Sequence, residues 1–247
     1  MTSSTVSRVA IVTGGSRGIG RAVAERLAAD GLAVTIVYRS NEQEADAVVE
    51  KIEAGGGQAI AVQADVADEE AIARAFDATE EAFGGVDVVV NSAGVMILSS
   101  IADFDLDVLD RMHRTNIRGT FVVDQQAARR VRNGGAIINF STSVTKLGSP
   151  TYAGYAATKG AVDAISPVLA KELRGRDITV NAVAPGPTAT ELFLDGKDEE
   201  TIDRLAKLNP MERLGTPEDI AEVVSFLAGP GRWINGQTVY VNGGMVH

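Results

Sequence analysis

Tyr155 and Lys159 stand four residues apart in the run Tyr-Ala-Ala-Thr-Lys. In a helix, that spacing sends both side chains from one face, one turn apart. A phenol titrates near pH ~10 and is a weak acid at neutral pH. An ammonium one turn away favours the phenolate and lowers that pKa, so the pair could pass a proton to or from a substrate oxygen. A half-buried tyrosine beside a solvated lysine gives the same spacing, so the pair carries weight only with support from the rest of the chain.

That support begins at Thr13-Gly14-Gly15-Ser16-Arg17-Gly18-Ile19-Gly20. Glycine lets a backbone turn tightly and approach a ligand with no Cβ in the way. A helix that follows offers free N–H groups and its positive end to a pyrophosphate. The spacing is Gly-x-x-x-Gly-x-Gly, not Gly-x-Gly-x-x-Gly. Its place after the first strand of a β-α-β pattern makes it a nucleotide turn rather than a plain connection. A dinucleotide fold that takes NAD usually puts an acid at the end of its second strand. This chain has Tyr38-Arg39-Ser40-Asn41 there, with no acid. Arg39, Arg17 and the Ser40 hydroxyl suit a 2′-phosphate, which favours NADP(H) over NAD(H).

The elements that position these residues read from hydrophobic pattern. Strand candidates are Val9–Thr13, Ala33–Tyr38, Ala59–Gln63, Val86–Asn91, Ala136–Ser141, Thr179–Ala184 and Thr238–Val241. Most are continuously apolar, which suits a parallel sheet covered on both faces. Between them lie helical patterns such as Ala45, Val48, Val49 and Ile52, or Ile220, Val223, Val224 and Leu227. Thr216-Pro217-Glu218 is a helix start and Gly55-Gly56-Gly57 a turn. Repeated β-α units predict a doubly wound α/β sheet with right-handed crossovers. Residues 188–213 break the alternation and read as a lid over a binding site.

Composition narrows the chemistry. The 247 residues are 45% hydrophobic and 23% charged, ordinary for a globular chain that forms one domain. A net charge of −10 argues against nucleic acid or an anionic membrane as partner. With no cysteine there is no disulfide, thiolate metal site or cysteine nucleophile. With only two histidines, His113 and His247, the composition argues against a histidine metal site or a serine–histidine triad, and no metal is expected. The start, MTSSTVSRVA, shows no apolar signal core, and no apolar run reaches membrane-spanning length, so a cytoplasmic protein is expected.

The glycine-rich turn, Asn91-Ser92-Ala93-Gly94, Asn116, Tyr155, Lys159 and Pro185-Gly186 stand in order on one α/β chain. Together they resemble the short-chain dehydrogenase/reductase family, from Arg8 to Val241-Asn242-Gly243-Gly244. The likeness is to the branch of 3-oxoacyl-[acyl-carrier-protein] reductases and carbonyl reductases. It implies a single-domain Rossmann fold with a seven-stranded sheet in the order 3-2-1-4-5-6-7. It implies an NADP-dependent oxidoreductase acting on CH–OH groups. Tyr155 is then the acid/base, and Lys159 lowers its pKa and binds the nicotinamide ribose. Asn116 holds a water in a proton relay. The cofactor would lie along Gly14, Ser16, Arg17, Gly18, Ile19, Gly20, Arg39 and Ser40, with Asp65 and Val66 at the adenine. Asn91, Ala93 and Gly94, then Pro185, Gly186, Thr188 and Thr190, would meet its other end. The resemblance also implies a homotetramer packed through two long helices and the last strand.

Three residues depart from the family pattern. Where the family has a catalytic serine, thirteen residues before the tyrosine, this chain has Thr142, between Ser141 and Ser143. Threonine keeps the hydroxyl but its methyl stiffens χ1. Thr142 is the expected substrate-facing hydroxyl, with Ser143 in reserve. Ser92 replaces a frequent asparagine, and Pro167 falls inside the Tyr155 helix. Tyr152 lacks a lysine four residues on and suits a pocket wall. Val95, Met96, Ile97, Leu98, Leu147, Leu192 and Phe193 suggest an apolar pocket for a hydrophobic ketone. An acyl carrier protein would need a basic patch, for which Arg129, Arg130, Arg132, Lys171, Arg174 and Arg176 are candidates. A non-catalytic NADP(H) sensor on the same fold is the contrasting expectation, opposed by the presence of Tyr155, Lys159 and Asn116.

Overall fold

The computed structural model describes residues 8–247. Seven strands form one sheet: β1 Val9–Thr13, β2 Ala33–Tyr38, β3 Ala59–Gln63, β4 Val86–Asn91, β5 Val131–Phe140, β6 Thr179–Pro185 and β7 Thr238–Val241. All neighbours pair parallel, in the order β3-β2-β1-β4-β5-β6-β7. The helices are α1 Gly18–Ala29, α2 Glu42–Ala54, α3 Glu69–Phe83, α4 Leu106–His113, α5 Gly119–Arg130, α6 Val144–Leu147, α7 Ala153–Glu172, α8 Glu191–Leu194, α9 Glu199–Ala206 and α10 Pro217–Ala228. This is the doubly wound Rossmann arrangement expected from the apolar strand runs.

Alternation along each strand builds a core on both faces. Ala10 and Val12 of β1 join a cluster with Val23 and Leu27 of α1, Val48 of α2 and Ile220 and Val224 of α10. Ile11, between them in sequence, joins the opposite cluster with Phe76 of α3, Val123 of α5 and Leu169 of α7. A central strand that must be apolar on both sides reads as an unbroken hydrophobic run, which is why the periodicity was legible.

Some boundaries differ from the sequence pattern. β5 begins at Val131, because Val131 pairs with Val86 before a register shift. It ends at Phe140, so Ser141 lies beyond it. α4 and α5 are joined by a π-helical turn, Arg114–Arg118, that contains Asn116. α7 runs through Pro167 without a break. The Thr216 start is a full capping box, with Thr216 and Asp219 each bonding the other's backbone N–H. In the 188–213 segment, α8 and α9 form, and a bridge between Thr188 and Gly215 ties its ends together.

Candidate active site

The strands' carboxyl ends open into one deep cleft, the place where open α/β sheets bind ligands. Gly14, Ser16, Arg17, Gly18, Ile19, Gly20, Arg39, Ser40, Asp65, Val66, Ala93, Gly94, Thr142, Tyr155, Lys159, Pro185, Gly186, Thr188 and Thr190 all line it. Two sequence candidates do not. Asn91 lies behind the cleft wall: its Oδ1 accepts from Thr13 Oγ1 at 3.1 Å and its Nδ2 donates to the Thr120 carbonyl at 3.3 Å. It ties β1 and β4 to α5 behind the cleft. Asn116 is fully buried. Its side chain clasps the Val95 backbone, accepting from Val95 N at 2.9 Å and donating to Val95 O at 2.8 Å, and donates to Thr158 Oγ1 at 3.0 Å. Asn116 thus pins the loop after β4 to α7.

The nucleotide end depends on glycine for steric reasons. Gly14 has φ +65°, and a Cβ there would lie 2.9 Å from Ala93 Cα. A Cβ on Gly20 would lie 2.2 Å from the Gly14 carbonyl oxygen. The turn therefore folds back on itself only with these glycines, and it aims the first amides of α1 into the cleft. Arg17, the residue that caps α1, makes no side-chain cap bond to them. Those amides and the helix dipole suit an anion. Arg17, Arg39 and Ser40 are exposed at the cleft's edge, and neither arginine forms an ion pair among the described residues. The chain fits a dinucleotide with an added phosphate.

The reacting end gathers around Tyr155. Its hydroxyl is hydrogen-bonded to Thr142, which is nearly buried beyond the end of β5. The neighbouring hydroxyls are held elsewhere. Ser141 Oγ contacts the Lys159 carbonyl at 3.5 Å; Ser143 Oγ donates to Ala184 O at 3.2 Å and accepts from Asn242 Nδ2 at 3.1 Å. Of the three hydroxyls, Thr142 is the one brought to Tyr155.

Lys159 is 4% exposed; its Nζ donates to the Phe140 carbonyl at 2.7 Å and lies 5.9 Å from the Tyr155 ring centroid. Burial lowers its pKa to about 8. The expected lowering of the Tyr155 pKa by Lys159 is not what this arrangement gives. Burial pushes the phenol well above its usual range, the Tyr152 hydroxyl adds to that, and the bond with Thr142 opposes it. Desolvation of the phenolate outweighs an ammonium that points at a backbone carbonyl. The result is a phenol that keeps its proton at neutral pH. Gly94 lies against both side chains: a Cβ on it would sit at contact distance, 3.5 Å from Lys159 Nζ and 3.4 Å from Asn116 Oδ1.

Thr188 and Thr190 serve their turn and also line the cleft. Thr188 Oγ1 donates to Gly186 O at 2.9 Å, and Thr190 Oγ1 caps α8 by accepting from Phe193 N at 3.2 Å. Residues missed in the sequence complete the pocket. Leu205 and Leu208 reach it from the lid, and Met245 from the C-terminal tail. Asn242 fixes that tail: its Oδ1 accepts from Gly244 N at 3.0 Å and Met245 N at 3.1 Å, and its Nδ2 donates to Val246 O at 2.8 Å as well as to Ser143. The only signal in the sequence was an Asn-Gly-Gly turn after the last strand.

A family model described as Enoyl-(Acyl carrier protein) reductase matches residues 14–246. A short-chain type dehydrogenase/reductase of Picea abies is 45% identical over 97% of this chain and 92% of its own length. The chain belongs to the short-chain dehydrogenase/reductase family. An NADPH-dependent aldehyde reductase-like protein of Arabidopsis thaliana, described as chloroplastic, is 43% identical over 97% of this chain and 94% of its own. A crystal structure of a short-chain dehydrogenase from Burkholderia cenocepacia in complex with NADP superposes with a TM-score of 0.91, at 40% identity over 97% and 98% of the two chains. As a short-chain dehydrogenase/reductase the chain is an oxidoreductase, and the Tyr155–Thr142 hydroxyls are where its chemistry would centre.

Proposed function

We infer that this protein is an NADPH-dependent carbonyl reductase that converts a ketone to a secondary alcohol, reversibly. The observation that carries the reading is the Tyr155 hydroxyl bonded to Thr142 in the cleft, one helical turn from buried Lys159. Supporting NADP(H) are Arg17, Arg39 and Ser40 at the cleft's edge, the lack of an acid at the end of β2, and the NADP complex of the Burkholderia relative. When bound, the reduced nicotinamide supplies a hydride. The α1 amides and Arg39 would hold its phosphates, and Asp65 and Val66 would flank the adenine end. Thr142 and Tyr155 hold the substrate oxygen between two hydroxyls. Tyr155, protonated at neutral pH, gives its proton to that oxygen as negative charge develops. Each hydroxyl donor there is worth about 3 kcal/mol of transition-state stabilisation. Lys159 keeps a cation beside the phenolate that forms, and Asn116 holds the Gly94–Val95 loop against both.

We read the whole chain as one domain, with residues 188–213 as a lid carrying Leu192, Phe193, Leu205 and Leu208 over the substrate. No described helix is long and apolar enough to cross a membrane; a cytoplasmic site of action is part of the proposal. So is the family's tetramer, which would cover Phe121 and Val168, exposed on the two long helices.

The basic patch for an acyl carrier protein is weaker than the sequence suggests. Arg130 pairs with Asp77 and Glu80, Arg132 with Asp87, and Arg176 donates to the Ala128 and Val131 carbonyls. Lys171 lies ~24 Å along α7 from Tyr155, at 1.5 Å per residue, toward the end where β6 begins. A small ketone is therefore favoured over a carrier thioester. A panel of ketones and alcohols, run with NADPH and with NADH, tests the reading; no turnover of any ketone with either cofactor would refute it.

Two further results are expected. Arg39→Asp removes a phosphate partner and adds a repelling carboxylate, so the ratio of kcat/KM for NADPH to that for NADH should fall at least about tenfold. An unchanged ratio would take Arg39 out of the cofactor site. The rate of ketone reduction should also fall as pH rises through about 8, where Lys159 loses its charge. A profile flat from pH 6 to 10 would show that this charge is not needed.

A further inference from the structure

Tyr152 is a pocket phenol to which the mechanism above gives no task. It stands where α7 begins, three residues before Tyr155, and lines the same cleft. Its backbone is fixed on both sides. Its N–H donates to Ser149 O at 3.3 Å, and its carbonyl accepts from Ala156 N at 2.7 Å. Residues three apart at a helix share a face, and the Tyr152 hydroxyl is near enough to raise the pKa of Tyr155. The two phenols therefore look into one space. Leu147, Leu192, Phe193, Leu205, Leu208 and Met245 give the cleft much of its apolar lining, beside a few polar side chains such as Ser149 and Glu191.

Against this background the Tyr152 hydroxyl stands out. The ring is half-buried, and burial raises its pKa. Its hydroxyl makes no hydrogen bond with any described residue, whereas that of Tyr155 is bonded to Thr142. A wall of this pocket needs only a ring. A hydroxyl on a half-buried ring beside an apolar wall is placed to donate to a ligand oxygen that enters the cleft. We propose that Tyr152 donates a hydrogen bond to a second substrate oxygen, so that the enzyme prefers ketones with an oxygen on the adjacent carbon, α-hydroxyketones and 1,2-diketones, over plain ketones of the same size. The proposal rests on the carbonyl-reductase reading of the site. Geometry supports it. Side chains three apart on a helix start about 5–6 Å from each other at Cβ. Two oxygens on adjacent carbons sit closer together than that, and each can meet one phenol at ~2.8 Å. A pocket built to bond a substrate oxygen disfavours the analogue that lacks it, because its own polar group is then left unpaired.

The test is a matched pair, 2-hydroxyacetophenone and acetophenone, with NADPH and with wild-type protein and Tyr152→Phe. Wild type should show a higher kcat/KM for the hydroxyketone, and Tyr152→Phe should lower the hydroxyketone-to-ketone ratio about fivefold, the worth of one neutral hydrogen bond. The preference should also appear without turnover, as tighter calorimetric binding of 1-phenylethane-1,2-diol than of 1-phenylethanol to the NADPH-loaded wild type, where neither alcohol can pass a hydride to the already reduced cofactor, and should shrink in the variant. An equal ratio in the two proteins, with turnover of both ketones intact, would overturn the role of Tyr152 alone. If wild type reduces neither these ketones nor any other in the panel, the carbonyl-reductase reading fails, and this inference fails with it.

Discussion

Phenylalanine at position 155 is expected to reduce ketone turnover about a thousandfold or more while the fold and NADPH binding persist. The ring stays, so the packing of α7 is kept. The lost hydroxyl is bonded to Thr142, and Thr142 Oγ1 retains the Val144 N–H at 3.3 Å. One neutral hydrogen bond is worth about 1 kcal/mol in stability, so the melting temperature should fall by only a few degrees. The rate loses a positioned proton donor, an effect of 10²–10⁴-fold. No neighbour replaces it: Lys159 Nζ is held on the Phe140 carbonyl at 2.7 Å. Steady-state rates, with NADPH affinity by fluorescence titration, check this. A folded, NADPH-saturated Tyr155→Phe with wild-type turnover would move the proton transfer to another group.

The second large effect lies behind the site. Asp124 of α5 is 4% exposed between β5 and α7. One of its oxygens accepts from Asn139 Nδ2 at 2.9 Å, and Asn139 also bonds Ser166 Oγ at 3.1 Å. Asp124 Oδ1 and Asn139 Oδ1 have no partner. These are two acceptors without a donor, and burial accordingly raises the Asp124 pKa to about 7, against the Asn139 bond. The folded chain keeps this proton up to about pH 7, while the unfolded chain releases it near pH ~4. The stabilisation is whole below pH ~4, declines as pH rises from there and is lost above about 7. Asparagine at 124 keeps an acceptor for Asn139 Nδ2 and adds a donor for Asn139 Oδ1. The pKa shift sets a ceiling of ~4 kcal/mol, which relaxation around a buried carboxylate reduces. Asp124→Asn should therefore gain about 2 kcal/mol at pH 8 and less than about 1 kcal/mol at pH 4.5. Urea unfolding at both pH values measures it. A variant less stable than wild type, or a gain independent of pH, would contradict this account of the cluster.

The legible and illegible parts of the molecule differ in the range of the contacts that create them. β1, β2 and β4 lie where their apolar runs place them, because a strand covered on both faces must be apolar throughout, and the partly buried edge strands β3 and β7 also lie at their β-rich runs. Thr142 was a candidate through the family resemblance, at the place of its catalytic serine, and the structure holds the neighbouring Ser141 and Ser143 hydroxyls on other partners. Asn91, the last residue of β4, was not legible as a tie between strands, because only its long-range bond to Thr13 and its contact with the Thr120 carbonyl show that part. The π turn at Asn116 has no sequence pattern of its own. Met245 reaches the pocket through Asn242, whose partner Ser143 is 99 residues away. The pKa of Tyr155 could not be read from spacing, because it depends on where Lys159 points and on how much water the phenol loses.

Hydride transfer to a ketone carbon, completed by the Tyr155 proton, is the central claim. Its most direct measurement is reduction of acetophenone or 2-hydroxyacetophenone with NADPH dideuterated at C4, followed by mass spectrometry of the alcohol. One deuterium on the carbinol carbon, with one NADPH oxidised per alcohol formed, is the predicted result. NADPH that binds but is not oxidised across the ketone panel, or an alcohol without deuterium at that carbon, would contradict it.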